Sequence, residues 1–162
     1  MNTSLEFSPI DPVQPPAGYI GGKRRLASRL VERIAAVPHR TYAEVFVGMG
    51  GVFFRRKAAP PAEVINDRSG DVATLFRILQ RHYPQFMDTL RFQLSGRREF
   101  ERLKASDPAT LTDLERAGRF LYLQRLAFGG KVSGRNFGVV PQTRAGFNLT
   151  TLEPLLADIH HR

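Results

Sequence analysis

The chain contains no cysteine. That excludes disulfides, thiolate nucleophiles and cysteine-ligated zinc, and leaves the compartment open. Histidine is also scarce: His39, His82, His160 and His161 are the full set. None stands at a metal-ligand spacing with carboxylates, so each is read as a surface residue and no metal is expected. No apolar run approaches the roughly 18 residues of a membrane span. The acidic, proline-containing N-terminus lacks the basic and apolar regions of a signal peptide. A soluble, cytoplasmic protein with no membrane partner is therefore the expectation. Acidic residues are few as well, 15 Asp and Glu against 24 Lys and Arg, for a net charge of +9. Such an excess points to a polyanionic partner, because clustered cations release counterions from phosphates. The charge falls in clusters, at Lys23 to Arg25, Arg55 to Lys57, Arg97 and Arg98, and Lys131 to Arg135.

What is present suits one domain: 162 residues, 42% of them apolar, are enough to bury a real core. Residues 1 to 16, with four prolines and no apolar periodicity, read as a flexible leader. Leu26, Ala27, Leu30, Val31 and Ile34 form the stripe of a helix that stops before Pro38. Ala43 to Val47 and Glu63 to Asn66 read as strands buried in a parallel sheet, with a short helix at Val52 to Lys57 between them. Val72, Leu75, Phe76, Leu79 and Tyr83 mark the clearest helix. Strand, helix, strand, helix implies right-handed crossovers and a parallel, doubly wound sheet. Helices are then expected near 85 to 94, 97 to 105 and 113 to 127, the last opened by a capping box of Thr112 and Glu115. Residues 129 to 148 are glycine-rich and basic, with Phe137, Val139, Val140 and Phe147 as anchors. A β-hairpin or a long loop fits them, and the length suggests function. Leu152, Leu155, Leu156 and Ile159 begin an amphipathic helix that runs to the terminus. It reads as cut off, with apolar surface left exposed.

Two glycine motifs carry the chemistry. Glu44-Val45-Phe46-Val47-Gly48-Met49-Gly50-Gly51 reads as a strand entering a glycine turn and then a helix, where a ligand can meet backbone without meeting side chains. Tight packing alone produces the same run. A nicotinamide-type fingerprint is disfavoured, because its third glycine would fall at Phe53. Upstream, Gly18-Tyr19-Ile20-Gly21-Gly22-Lys23 brackets two glycines with an aromatic and a lysine just ahead of an amphipathic helix.

Together these motifs resemble those of the Dam-type, D12 class adenine-specific DNA methyltransferases. The likeness continues through Ile65-Asn66-Asp67 and from Phe120-Leu121-Tyr122-Leu123-Gln124-Arg125 to Gly146-Phe147-Asn148. It implies a Rossmann-like, doubly wound S-adenosylmethionine-dependent methyltransferase fold, present in part, with a helical target-recognition insertion. The cofactor implied is S-adenosyl-L-methionine, held by Tyr19, Lys23, Gly48, Gly50 and Asp67. Lys23 would meet the cofactor carboxylate, and Asp67, 19 residues after Gly48, would accept from the ribose. The residues by themselves allow another reading of two of these: Asp67 as the N-cap of the next helix, and Tyr19 as a core aromatic with a solvent-reaching hydroxyl.

The partner implied is double-stranded DNA. Phe128 matches the aromatic that wedges into the base stack in better-known relatives, while Lys131, Arg135 and Arg144 would contact phosphate. Gly129 departs from those relatives, which often carry a polar base reader there. The family's catalytic Asp-Pro-Pro-Tyr does not occur in the chain: Asp11-Pro12 and Asp107-Pro108 lack the second proline and the aromatic. No catalytic residue is assigned.

The organisation expected is a leader over 1–16, a cofactor-binding α/β part over 17–83, a helical target-recognition segment with hairpin over 84–148, and a truncated return to the α/β core over 149–162. The function expected is that of a site-specific adenine N6-methyltransferase cut before its catalytic motif, with a missing C-terminal catalytic part as a possible partner. A non-catalytic DNA- or cofactor-binding remnant is the alternative, and a small-molecule methyltransferase a third reading.

Overall fold

The computed structural model describes residues 7–138 and 146–162. Val139, Val140 and Arg144, singled out above, lie outside the described residues. The chain begins with a two-residue strand, β1 (Ser8–Pro9), followed by helix α1 (Ala27–Ala35) and strand β2 (Thr41–Glu44). Strands β3 (Ala58–Ala59) and β4 (Ala62–Ile65) and helix α2 (Gly70–Arg81) come next. The remaining helices are α3 (Tyr83–Leu90), α4 (Arg97–Ala105), α5 (Asp113–Leu126) and α6 (Leu149–His161). Among the described residues this is an α/β structure of six α-helices and two small sheets.

β2 and β4 pair in parallel, Thr41 opposite Ala62 and Glu44 opposite Ile65. β1 and β3 form a separate antiparallel ladder. Of the doubly wound sheet expected from the sequence, the described residues show one parallel pair. Burial of both its faces was also expected, and the structure corrects this: Val45, Phe46 and Val64 are 55%, 76% and 53% exposed. Their apolar run satisfies the pattern of a two-sided strand, but among the described residues one face of the pair has no covering element. The helix expected over Val52 to Lys57 shortens to one 3-10 turn at Phe53–Arg55, because Arg56 is already extended at φ −68°, ψ 143°.

Residues 7–16, read as a leader, run along the body of the protein. Ile10 N–H donates to Lys57 O, and Val13 N–H to Phe54 O. Arg125 Nη1 donates to Pro16 O at 2.6 Å.

The core centres on α5, which packs against α2, α3 and α4. Residues Ala117 to Gln124 are buried without a break, as a helix surrounded by others requires. Its N-terminus carries the expected capping box: Glu115 N–H donates to Thr112 Oγ1, and Thr112 N–H to Glu115 Oε2. Tyr122, wholly buried, spends its hydroxyl on the turn between α3 and α4, donating to Leu94 O and accepting from Gly96 N–H. The exposed apolar face expected on the final helix is not found. Leu152, Leu156 and Ile159 are buried, because α6 packs on α2 and α3. Arg162, just past α6, is fastened to β4 through Glu63, which also takes Arg56.

Candidate functional site

The turn after β2 is built from left-handed glycines, with φ of +53° at Gly48 and +75° at Gly50. Only glycine adopts such angles without steric cost. A Cβ on Gly48 would come within 3.1 Å of Tyr19 Cδ1, and one on Gly50 would collide with the Phe54 ring. Gly48 therefore lets the Tyr19 ring approach the backbone closely, while Gly50 lets the next turn close over a buried phenylalanine.

Asp67, just past the end of β4, clamps this turn. Its Oδ2 accepts from Gly48 N–H and its Oδ1 from Ser69 N–H, each at 2.8 Å. The N-cap position of α2 belongs to Ser69, so Asp67 does not occupy it. A carboxylate has about four acceptor sites, and two backbone donors leave Asp67 with capacity toward a ligand. Burial, and then the Asp67 charge, push the Tyr19 hydroxyl above its ordinary range.

Tyr19, Lys23, Gly48 and Asp67 line one cavity of about 850 Å³, a size suited to a cofactor-sized ligand. Gly50, expected to hold the cofactor, is not among the residues that line this cavity. Lys23 is exposed, its Nζ donating to Gly21 O at 2.9 Å. Gly129 also lines the cavity, so the hairpin segment contributes to the same wall. The sequence reading missed Glu44, the single acid in the strand run and the last residue of β2, which lines the cavity too. Burial pushes its carboxyl above the usual range, opposed by the hydrogen bond it accepts from Tyr42.

The residues assigned to DNA separate. Phe128 is 68% exposed, and its N–H donates to Asn136 O, so the ring projects from a pinned backbone. Lys131 is exposed. Arg135 is only 9% exposed, against the surface position expected for a phosphate contact. Its guanidinium lies over the Phe120 ring, 5.5 Å from the centroid, and Nη2 reaches Gln124 Oε1 at 3.4 Å. A cation in a glycine-rich basic run reads as solvated, and only the fold-back of the segment onto α5 hides it.

A second cluster on the same side escaped the sequence reading in part. Phe92 and Leu94, 85% and 80% exposed, sit between the exposed Arg91, Arg97 and Arg98. Arg97 lies over Phe137 at 5.1 Å, and Ser95 Oγ donates to Phe147 O. Among the described residues no three His, Asp or Glu side chains gather as a metal site. Nor, among the described residues, is any helix long and apolar enough to cross a membrane.

Glycine backbone, a carboxylate held by backbone donors and a lysine are among the residues that line the cavity, a set that suits a polar ligand. No curated protein matches the chain. A family model described as D12 class N6 adenine-specific DNA methyltransferase matches residues 19–139, from the tyrosine of the first glycine motif into the glycine-rich segment that follows α5. The chain belongs to that family of adenine-specific DNA methyltransferases.

Proposed function

We propose that the chain binds S-adenosylmethionine in the cavity between its two glycine motifs and holds double-stranded DNA against the helical segment over 84–148, in the service of methyl transfer to adenine N6. The observation that carries this reading is the Gly48 turn, closed against Tyr19 and clamped by Asp67 in the wall of one cavity. Tyr19 and Gly48 would pack on the cofactor, Lys23 would meet its carboxylate, and Asp67 would accept from its ribose. Bound S-adenosylmethionine supplies an activated methyl group, so the protein needs no nucleophile of its own. What the chain's residues do is bind and orient. On the DNA side, Phe128 would press into stacked bases and Lys131 would meet phosphate, a reading supported by the exposure of both side chains. Arg135 holds the loop that carries them.

The amine of adenine also needs hydrogen-bond acceptors and a stacking aromatic, which Asp-Pro-Pro-Tyr provides in this family. The 162 residues contain no such run. Asp107, in the nearest dipeptide, instead caps a 3-10 turn by accepting from Ala109 N–H. The chain alone is therefore read as binding both partners and transferring no methyl group. This is also the observation that favours the second reading, a non-catalytic remnant.

Calorimetry with S-adenosylmethionine, its demethylated product and NAD tests the cofactor. Binding to the first two and not to NAD is expected, weakened roughly tenfold or more in Asp67→Ala by loss of a charged hydrogen bond worth about 1.5 to 3 kcal/mol. Preference for NAD would sink the assignment. For DNA, Lys131→Ala should flatten the slope of log affinity against log salt by about 1, and Phe128→Ala should weaken binding without changing the slope. A labelled-methyl assay on adenine-containing duplexes should find no transfer by this chain, and robust transfer would show that the reacting residues lie elsewhere in it.

A further inference from the structure

The cofactor loop and the DNA-facing hairpin are joined by one buried amide. Gln124 is 1% exposed in the middle of the core. Its Nε2 donates to Gly18 O at 2.8 Å and to Gly130 O at 2.6 Å, and its Oε1 accepts from Arg135 Nη2 at 3.4 Å. The two carbonyls belong to residues that lie 106 positions before Gln124 and 6 positions after it. Around this point the segments touch without a spacer. Ile20 N–H donates to Gly130 O at 3.0 Å. A Cβ on Gly130 would lie 2.8 Å from Gly18 C and 2.9 Å from Tyr19 N. Gly129, next in line, lines the cofactor cavity.

Such a seam has little freedom. Gly130 is left-handed at φ +65° and cannot accept a side chain. The Gln124 amide spends both its donors and its acceptor inside the seam, and a polar group this deeply buried is costly to leave unpaired. Any displacement of residues 128–135, such as DNA pressing on Phe128 and Lys131, must either carry Gly18 and Tyr19 with it or break these bonds. Tyr19 is the residue whose ring lies on Gly48 in the cavity wall.

We infer that Gln124 is a positioning residue that couples the two ligand sites, so that duplex DNA and S-adenosylmethionine each strengthen the binding of the other. The inference rests on the reading of the cavity and hairpin under Proposed function. Coupling of this kind is reciprocal and commonly amounts to 5- to 150-fold. Gln124 need touch neither ligand, because both act on loops that its amide holds in one arrangement.

The test is a binding cycle on the full chain. The affinity for S-adenosylmethionine is measured by calorimetry without and with a saturating adenine-containing duplex, for the natural chain and for Gln124→Met. Methionine fills about the same volume but donates no hydrogen bond. The duplex should raise cofactor affinity about tenfold in the natural chain and less than about twofold in Gln124→Met. A merely structural role would lower both affinities and leave their ratio unchanged. Should Gln124→Met fail to fold, hydrogen exchange on the natural chain decides the matter. Duplex alone should slow exchange of the Ile20 N–H, which sits in the seam and outside the hairpin. A cofactor affinity indifferent to duplex, an equal enhancement in both proteins, or unchanged Ile20 exchange would each overturn the coupling while leaving the two sites standing. A natural chain that binds neither ligand would instead overturn the reading of the sites, and the coupling with it.

Discussion

The helical half of the molecule and the strand-bearing half bury their apolar residues in opposite ways. α5 is enclosed, with Phe120, Leu121, Tyr122 and Leu123 each at 1% exposure or less. β2, β4 and the approach to the glycine turn leave Val45, Phe46 and Val64 more than half exposed. Both segments are rich in apolar residues, so composition does not distinguish them. Neighbours do: α2, α3 and α4 surround α5, whereas the strand pair is covered on one side. The lesson is that the helical half carries the stability of the chain, and that the two glycine motifs are held in place by a few particular contacts. Those contacts are the Asp67 clamp, the Gln124 amide, and the Phe54 ring beneath Gly50.

That contrast can be broken most forcefully in the core. Phe120→Ala should cost about 3 to 5 kcal/mol in urea unfolding, since a fully buried aromatic leaves a cavity its neighbours cannot close. A cost near 1 kcal/mol would mean that α5 is less enclosed than described. Gly50→Ala comes next. The left-handed backbone alone costs about 1 to 2 kcal/mol, the Phe54 ring leaves no room for the methyl, and cofactor binding should be lost with the turn. Unaltered binding would separate the turn from the site.

Glu44 offers a subtler probe, through pH. Burial raises its carboxyl pKa in the fold above the ordinary value of 4.5, so the folded chain holds this proton more tightly than the unfolded one. Its contribution favours the fold below the ordinary carboxylate range and is lost as pH rises through the raised native value. Melting temperatures of the natural chain, taken relative to Glu44→Gln, should therefore fall with increasing pH across that window. A flat difference would show that Glu44 is solvated. The smallest effect belongs to the open sheet face: Val64→Thr keeps the β-branched shape and should change stability by no more than about 0.5 kcal/mol. A cost above about 1 kcal/mol would reveal a cover on that face.

What could be read from the sequence follows the same divide. Helices announced themselves wherever one stripe met a core. α4 falls on 97–105 as expected, and Thr112 and Glu115 close their capping box because that motif is local and needs no tertiary partner. The Gly48 turn was legible because glycine spacing is a local signal too, whereas Tyr19 and Asp67 were joined to it by the family resemblance, the residues alone leaving a core aromatic and an N-cap open. Burial was not legible where it depends on distant segments. The run around Val45 looked enclosed and is not, and Arg135 looked solvated and is not. Residues 7–16 had no periodicity to show that hydrogen bonds from distant segments would tie them down. Glu44 and Gln124 were hidden for a related reason: a lone acid in a strand or a lone amide in a helix has no pattern until the opposing loop is in place.

The attachment of Gly18 and Pro16 to α5 also has a consequence for the order in which the protein is made. The partners Gln124 and Arg125 follow them by 106 and 109 residues. At the usual pace of synthesis, about 5 to 20 residues per second, the nascent glycine motif waits roughly 5 to 20 seconds before the helix that anchors it exists. The earlier of the two glycine motifs to leave the ribosome thus acquires its shape only after residues made much later, and a ligand cannot template that loop until the segment that closes it has followed.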